Sequence, residues 1–126
     1  MSAADEISVA IIGAGMSGLC MAAKLQDAGV DTFTIFEQAA EVGGTWRDNS
    51  YPGAACDVQS HMYSFSFAGK ADWSQRYAPW QEIQQYILDT TDAGLSYSLS
   101  KITASAPYIF TKSSNPLPKI PLSITS

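Results

Sequence analysis

Three glycines, Gly13, Gly15 and Gly18, follow directly on the apolar run ISVAII (residues 7–12), in the spacing G-x-G-x-x-G. Each has its own mechanical reason. The first makes the tight turn out of a strand, the second lets the backbone approach a diphosphate, and the third lets the following helix pack closely on the sheet. The start of that helix offers unpaired N–H groups and the positive end of a dipole, both suited to phosphate, and Ser17 adds a hydroxyl donor. Glu37 stands 19 residues after Gly18, at the end of DTFTIFE. A carboxylate there accepts hydrogen bonds from the hydroxyls of an adenosine ribose and repels a 2′-phosphate, so the pattern points to FAD or NAD rather than NADP.

These residues need particular elements to hold them. ISVAII is β-branched and nearly all apolar, as expected of a strand buried on both faces of a parallel sheet. From Met16 to about Ala28 the residues favour a helix, with Leu19, Ala22, Ala23 and Gln26 on one side and Gly29 placed to end it. Residues 31–37 alternate as a second strand. The result is a βαβ unit of about thirty residues, and the fold class is α/β, Rossmann-like, with a parallel sheet. Residues 41–69 are expected to form loops and short turns, punctuated by Gly43, Gly44, Pro52 and Gly53. Pro79 can open a further helix, with Glu82 in its first turn. Ile83, Tyr86, Ile87 and Thr90 mark its apolar face, and it stops near Gly94.

Composition removes several classes of function. The net charge of -5 disfavours nucleic acid, which calls for clustered Lys and Arg. No apolar run approaches the roughly 20 residues that cross a bilayer, so no membrane partner is expected. The acidic start MSAADEIS lacks the basic end and apolar stretch of a secretory signal, and the expected location is cytoplasmic. There Cys20 and Cys56 stay as thiols. His61 is the only histidine and has no companion ligands, so no metal is expected. Tyr63, Phe65, Phe67, Trp73, Tyr77 and Trp80 have only Lys70 and Arg76 among them, and fit packing better than stacking on single-stranded nucleic acid. Cys56 lacks a base partner that would make it a nucleophile.

The charge distribution divides the chain. All 12 carboxylates lie between Asp5 and Asp92, whereas residues 95–126 carry Lys101, Lys112 and Lys119 and no acid. That last stretch is rich in Ser and Pro and gives at best short strands at 99–104 and 107–112. Residues 1–94 are therefore expected to form one unit, and 95–126 an atypical, loosely packed or poorly ordered tail. An altered reading frame or a foreign exon would produce such a change of composition.

Several motifs together carry a family resemblance: the glycine fingerprint, Glu37, GGTW at 43–46, YPGAACD at 51–57 and DWSQRYAP at 72–79. From about Ile7 to Leu95 the chain resembles the N-terminal FAD-binding part of flavin-dependent monooxygenases of the Baeyer–Villiger type. The resemblance implies that residues 1–94 are a partial FAD-binding domain, with FAD as cofactor and NADPH as co-substrate in full-length members, which oxygenate ketones or heteroatoms. It implies that Gly43, Gly44, Thr45 and Trp46 run along FAD, that Tyr63 is another flavin contact, and that Asp57 is the active-site aspartate, orienting an arginine from a later part of the enzyme. Ala55 stands where many members carry Arg, so the resemblance does not extend to a direct contact with NADPH from this loop. The second glycine fingerprint and the His-containing signature of such enzymes do not occur in these 126 residues. The chain alone is thus expected to be inactive, and a small-molecule substrate enters only if the enzyme is completed. Two other readings stay open: a noncatalytic dinucleotide-binding or docking module, and an unstable product without activity. Oligomeric state is not legible.

Overall fold

The computed structural model describes residues 7–94 and 102–104. Its elements are β1 (Val9–Ile12), α1 (Met16–Asp27), β2 (Phe33–Glu37), α2 (Thr45–Asp48), one turn of 3₁₀ helix at Ser60–Met62, α3 (Trp80–Gly94) and β3 (Ile102–Ala104). The three strands form one parallel sheet in the order β1-β2-β3. Val9 pairs with Phe33 and Ile12 with Phe36, while Ile35 pairs with Ile102 and Glu37 with Ala104. Parallel neighbours need long crossovers. Helix α1 supplies the first, and the 64 residues between Glu37 and Ile102, α3 among them, supply the second.

Both long helices follow the apolar spacing of the sequence. Leu19, Ala22 and Ala23 are the buried positions of α1. Its end is a Schellman arrangement: the Gly29 amide donates to Gln26 O and the Val30 amide to Leu25 O, both at 2.9 Å. In α3 the expected face of Ile83, Tyr86, Ile87 and Thr90 is buried throughout. The Pro79 carbonyl accepts the Glu82 and Ile83 amides at its start. Glu82 also reaches back to the Ser74 amide and hydroxyl at 2.9 and 2.6 Å, fixing the approach to the helix. Leu19, Ile35, Ile83 and Ile87 are almost completely enclosed, and each contributes about 1.5–3 kcal/mol by leaving water.

The strand β1 departs from expectation. It was read as buried on both faces, yet only Ile11 is buried, and Ile12 is 45% exposed. The reason is its place at the sheet edge. Side chains alternate along a strand, so the helices shield Ile11, whereas among the described residues nothing covers the face of Ala10 and Ile12. The central strand β2 departs in the opposite sense: residues 31–37 alternate in sequence, yet Phe33, Ile35, Phe36 and Glu37 are all enclosed, because β2 lies between β1 and β3.

Of the expected strands in the tail, β3 falls within 99–104. The segment 107–112 lies outside the described residues, as does most of 95–126. Six of the aromatic residues pack as two groups. Phe65, Phe67, Trp73 and Tyr86 form one, with Phe65 stacked on Phe67 at 5.0 Å and Trp73 5.4 Å from Tyr86. Trp46 and Tyr63 form the other, edge to face at 5.6 Å. Both cysteines are free thiols. No helix among the described residues is long and apolar enough to cross a membrane.

Candidate functional site

The strand β1 delivers the chain to Gly13 at the edge of a cleft of about 340 Å³. One wall comes from the first glycine turn and the start of α1: Gly13, Gly15, Met16, Ser17 and Gly18. The facing wall is Gly43, Gly44, Thr45 and Trp46, with Tyr63 beside them. Nine of the residues assigned from sequence therefore meet at one place: Gly13, Gly15, Ser17, Gly18, Gly43, Gly44, Thr45, Trp46 and Tyr63. Two assigned residues are not in its lining. Glu37 sits behind the first turn, buried to 4% exposure. Asp57 is exposed, because its neighbour Cys56 turns into the core.

The glycines have distinct reasons in the structure. A Cβ on Gly18 would stand 1.9 Å from the Gly13 carbonyl oxygen, so the first turn of α1 can close on the strand end only with glycine there. Gly44 has φ +56° and ψ -122°, a conformation essentially reserved for glycine. A Cβ on it would lie 3.0 Å from the Gly15 Cα, and one on Gly43 would run into the Gln84 amide at 2.1 Å. The Gly-Gly pair thus permits a close approach of protein to protein, turn against turn, in addition to any approach by a ligand. Gly15 differs. Its φ is -80°, and a Cβ would meet only Gly44 Cα, at an ordinary 3.6 Å.

Hydrogen bonds tie the two turns together through Ala14. Its amide donates to Glu37 Oε2 at 2.8 Å, and its carbonyl accepts the Gly43 amide at 2.9 Å. Glu37 Oε1 accepts the Ala39 amide at 3.0 Å and lies 3.4 Å from Arg47 Nη1. The first intrahelical bond of α1 runs from the Leu19 amide to Gly15 O. The amides of Met16, Ser17 and Gly18 precede it and have no partner within the helix, and no acid occupies the first turn. Such a helix start attracts anions, phosphate in particular.

The opposite wall is held from a distance. Gln84 of α3 donates to Val42 O at 2.8 Å and so fixes the chain entering Gly43. Trp46 donates its indole N–H to the Tyr63 hydroxyl at 3.0 Å, which aligns two side chains of the cleft. Arg47 and Gln84 were not identified from sequence. Arg47 stands one residue beyond GGTW and Gln84 is 42 residues from Val42, and no spacing rule connects them to the site. His61 is exposed, and no group of three or more His, Cys, Asp or Glu among the described residues is placed to hold a metal ion.

Residues 11–78 match the model of the NAD(P)-binding Rossmann-like domain family. A Baeyer–Villiger monooxygenase of Pseudomonas aeruginosa is 56% identical over 86 residues, covering 68% of this chain and 16% of the relative. The FAD-binding monooxygenase tazF of Aspergillus terreus is 49% identical over 89 residues, with 68% and 16% covered. Among solved structures, oxidized steroid monooxygenase bound to NADP superposes with a TM-score of 0.70 at 37% identity, over 76% of this chain and 19% of that one. The chain spans about a sixth of the length of the curated relatives it matches. Sequence, sheet order and the paired glycine turns agree: this chain belongs to the NAD(P)-binding Rossmann-like domain family, and within it resembles the Baeyer–Villiger monooxygenases.

Proposed function

We propose that the chain is the FAD-binding portion of a flavoprotein monooxygenase. The cleft between the two glycine turns takes the diphosphate, and the side of Trp46 and Tyr63 runs toward the flavin. The observation that carries this reading is Gly15: neither its backbone angle nor its protein neighbours require glycine, yet it lines the open cleft directly before the free amides of Met16, Ser17 and Gly18. A ligand backed against the chain supplies the missing reason.

In this reading the amides of Met16, Ser17 and Gly18 bind phosphate oxygens, Ser17 adds its hydroxyl, and the α1 dipole stabilises the negative charge. Glu37 has about four lone-pair directions on its two oxygens, of which the Ala14 and Ala39 amides occupy two, with Arg47 3.4 Å from Oε1. The remaining capacity is left for a sugar hydroxyl at the strand tip. Thr45, Trp46 and Tyr63 exclude water along the next part of the cofactor. Asp57 is proposed to act at the far end, as a charge that orients a cationic group of the completed enzyme. Bound FAD supplies the redox chemistry by which such enzymes use NADPH and oxygen on ketones or heteroatoms. The relatives named above, one of them FAD-binding and one bound to NADP, support this assignment. The chain alone is proposed to hold nucleotide without turnover, and to work in the cytoplasm, where its two free thiols stay reduced.

The test is a visible spectrum of the purified 126-residue chain after incubation with FAD and removal of the excess. Retained flavin absorbance at one equivalent supports the reading. A folded, colourless protein overturns it.

A further inference from the structure

We propose that Arg47 is the positioning residue of the sugar-binding end of the cleft: it locks Glu37 into the single arrangement that braces Ala14 and turns away a 2′-phosphate. This rests on the nucleotide reading above. The Arg47 side chain is only 14% exposed, and its guanidinium is held by three groups. Nη1 donates to Glu41 O at 2.7 Å and lies 3.4 Å from Glu37 Oε1. Nε and Nη2 both reach Asp48 Oδ1 at 2.9 Å. A planar fork with five N–H donors can satisfy all of these at once, which a lysine cannot.

Two consequences follow from that geometry. A buried carboxylate is costly without a partner, so Arg47 keeps Glu37 inside and on the Ala14 amide. The positive charge is at the same time neutralised by Glu37 and Asp48, so that Arg47 is not free to receive a phosphate on the sugar. An arginine at such a place otherwise accommodates a 2′-phosphate. Glu37 therefore decides whether Arg47 acts as a brace or as a phosphate receptor.

Two probes and two readouts test this on the full chain. The binding of 5′-ADP and 2′,5′-ADP is measured by calorimetry for the wild type, Arg47→Gln, Arg47→Lys and Glu37→Gln, and the hydrogen exchange of the Ala14 amide is followed without ligand. Arg47→Gln should lower 5′-ADP affinity about tenfold, the worth of one charged hydrogen bond, and speed Ala14 exchange by a similar factor. Arg47→Lys should fall between, and serves if the Gln variant does not fold. Glu37→Gln should move the preference toward 2′,5′-ADP. Unchanged Ala14 exchange in both Arg47 variants, or an unchanged nucleotide preference in Glu37→Gln, overturns the proposal. A wild-type chain that binds neither nucleotide overturns the functional reading instead, while the Ala14 exchange still decides the positioning role.

Discussion

The Cα of Gly15 lies 3.0 Å from the point where Gly44 would carry a Cβ, so two turns that are 29 residues apart in sequence touch backbone to backbone. One turn is the glycine fingerprint and the other opens GGTW. Their contact makes one cleft out of two motifs, and the two glycines should respond differently to substitution.

Gly15→Ala should leave the fold nearly as stable, within about 1 kcal/mol, because φ is -80° and the nearest atom is at an ordinary distance. It should nonetheless reduce nucleotide affinity strongly, by placing a methyl group where the ligand must approach. Gly44→Ala should cost the fold about 1–3 kcal/mol from its backbone conformation, besides the contact with Gly15. Urea unfolding and calorimetric titration of both variants separate the effects. Equal losses of stability would contradict the assignment.

Much of this arrangement was legible before the structure. Leu19, Ala22 and Ala23 on α1, and Ile83, Tyr86, Ile87 and Thr90 on α3, follow from the helical period, which is a local property. The place of Glu37 at the end of β2 follows from the alternation of residues 31–37 and its distance to the fingerprint. The exposure of Ile12 was not legible, because composition shows that a strand is apolar but not whether it lies at a sheet edge. Nor was Arg47, whose contacts are to a strand-end carboxylate, a loop carbonyl and the adjacent Asp48. The bond from the Ala14 amide to Glu37 also escaped notice, since it joins residues 23 apart through a rotamer that no sequence pattern encodes.

Ser17 is exposed on the cleft wall and carries no core contact. Ser17→Ala should therefore leave thermal stability unchanged and weaken 5′-ADP binding about tenfold, as expected for a lost hydrogen bond to a charged group. Binding that is unaltered would remove the hydroxyl from the phosphate site.

Tyr86 joins α3 to the loop before it: its hydroxyl accepts the Phe65 amide at 2.8 Å and donates to Ala68 O at 2.6 Å. Tyr86→Phe should cost about 1–3 kcal/mol, because the buried Phe65 amide loses its partner. Denaturant midpoints at unchanged slope are the check. A neutral result would mean that this loop is not held by α3.

On the opposite wall, Gln84→Leu keeps the apolar volume but leaves Val42 O without its donor. It should destabilise the fold by about 1–3 kcal/mol and loosen the Gly43–Gly44 turn. The turn should show this as faster amide exchange at Gly43, whose partner is Ala14 O. Exchange at wild-type rates would place the control of that turn elsewhere.

The most direct measurement is an amide NMR titration of the 126-residue chain with 5′-ADP. The two-turn cleft predicts the largest shifts at Gly15, Met16, Ser17 and Gly18, with Gly44 following across the contact. Shifts confined to surfaces away from these amides, in a chain that is folded and binds the nucleotide, would contradict it.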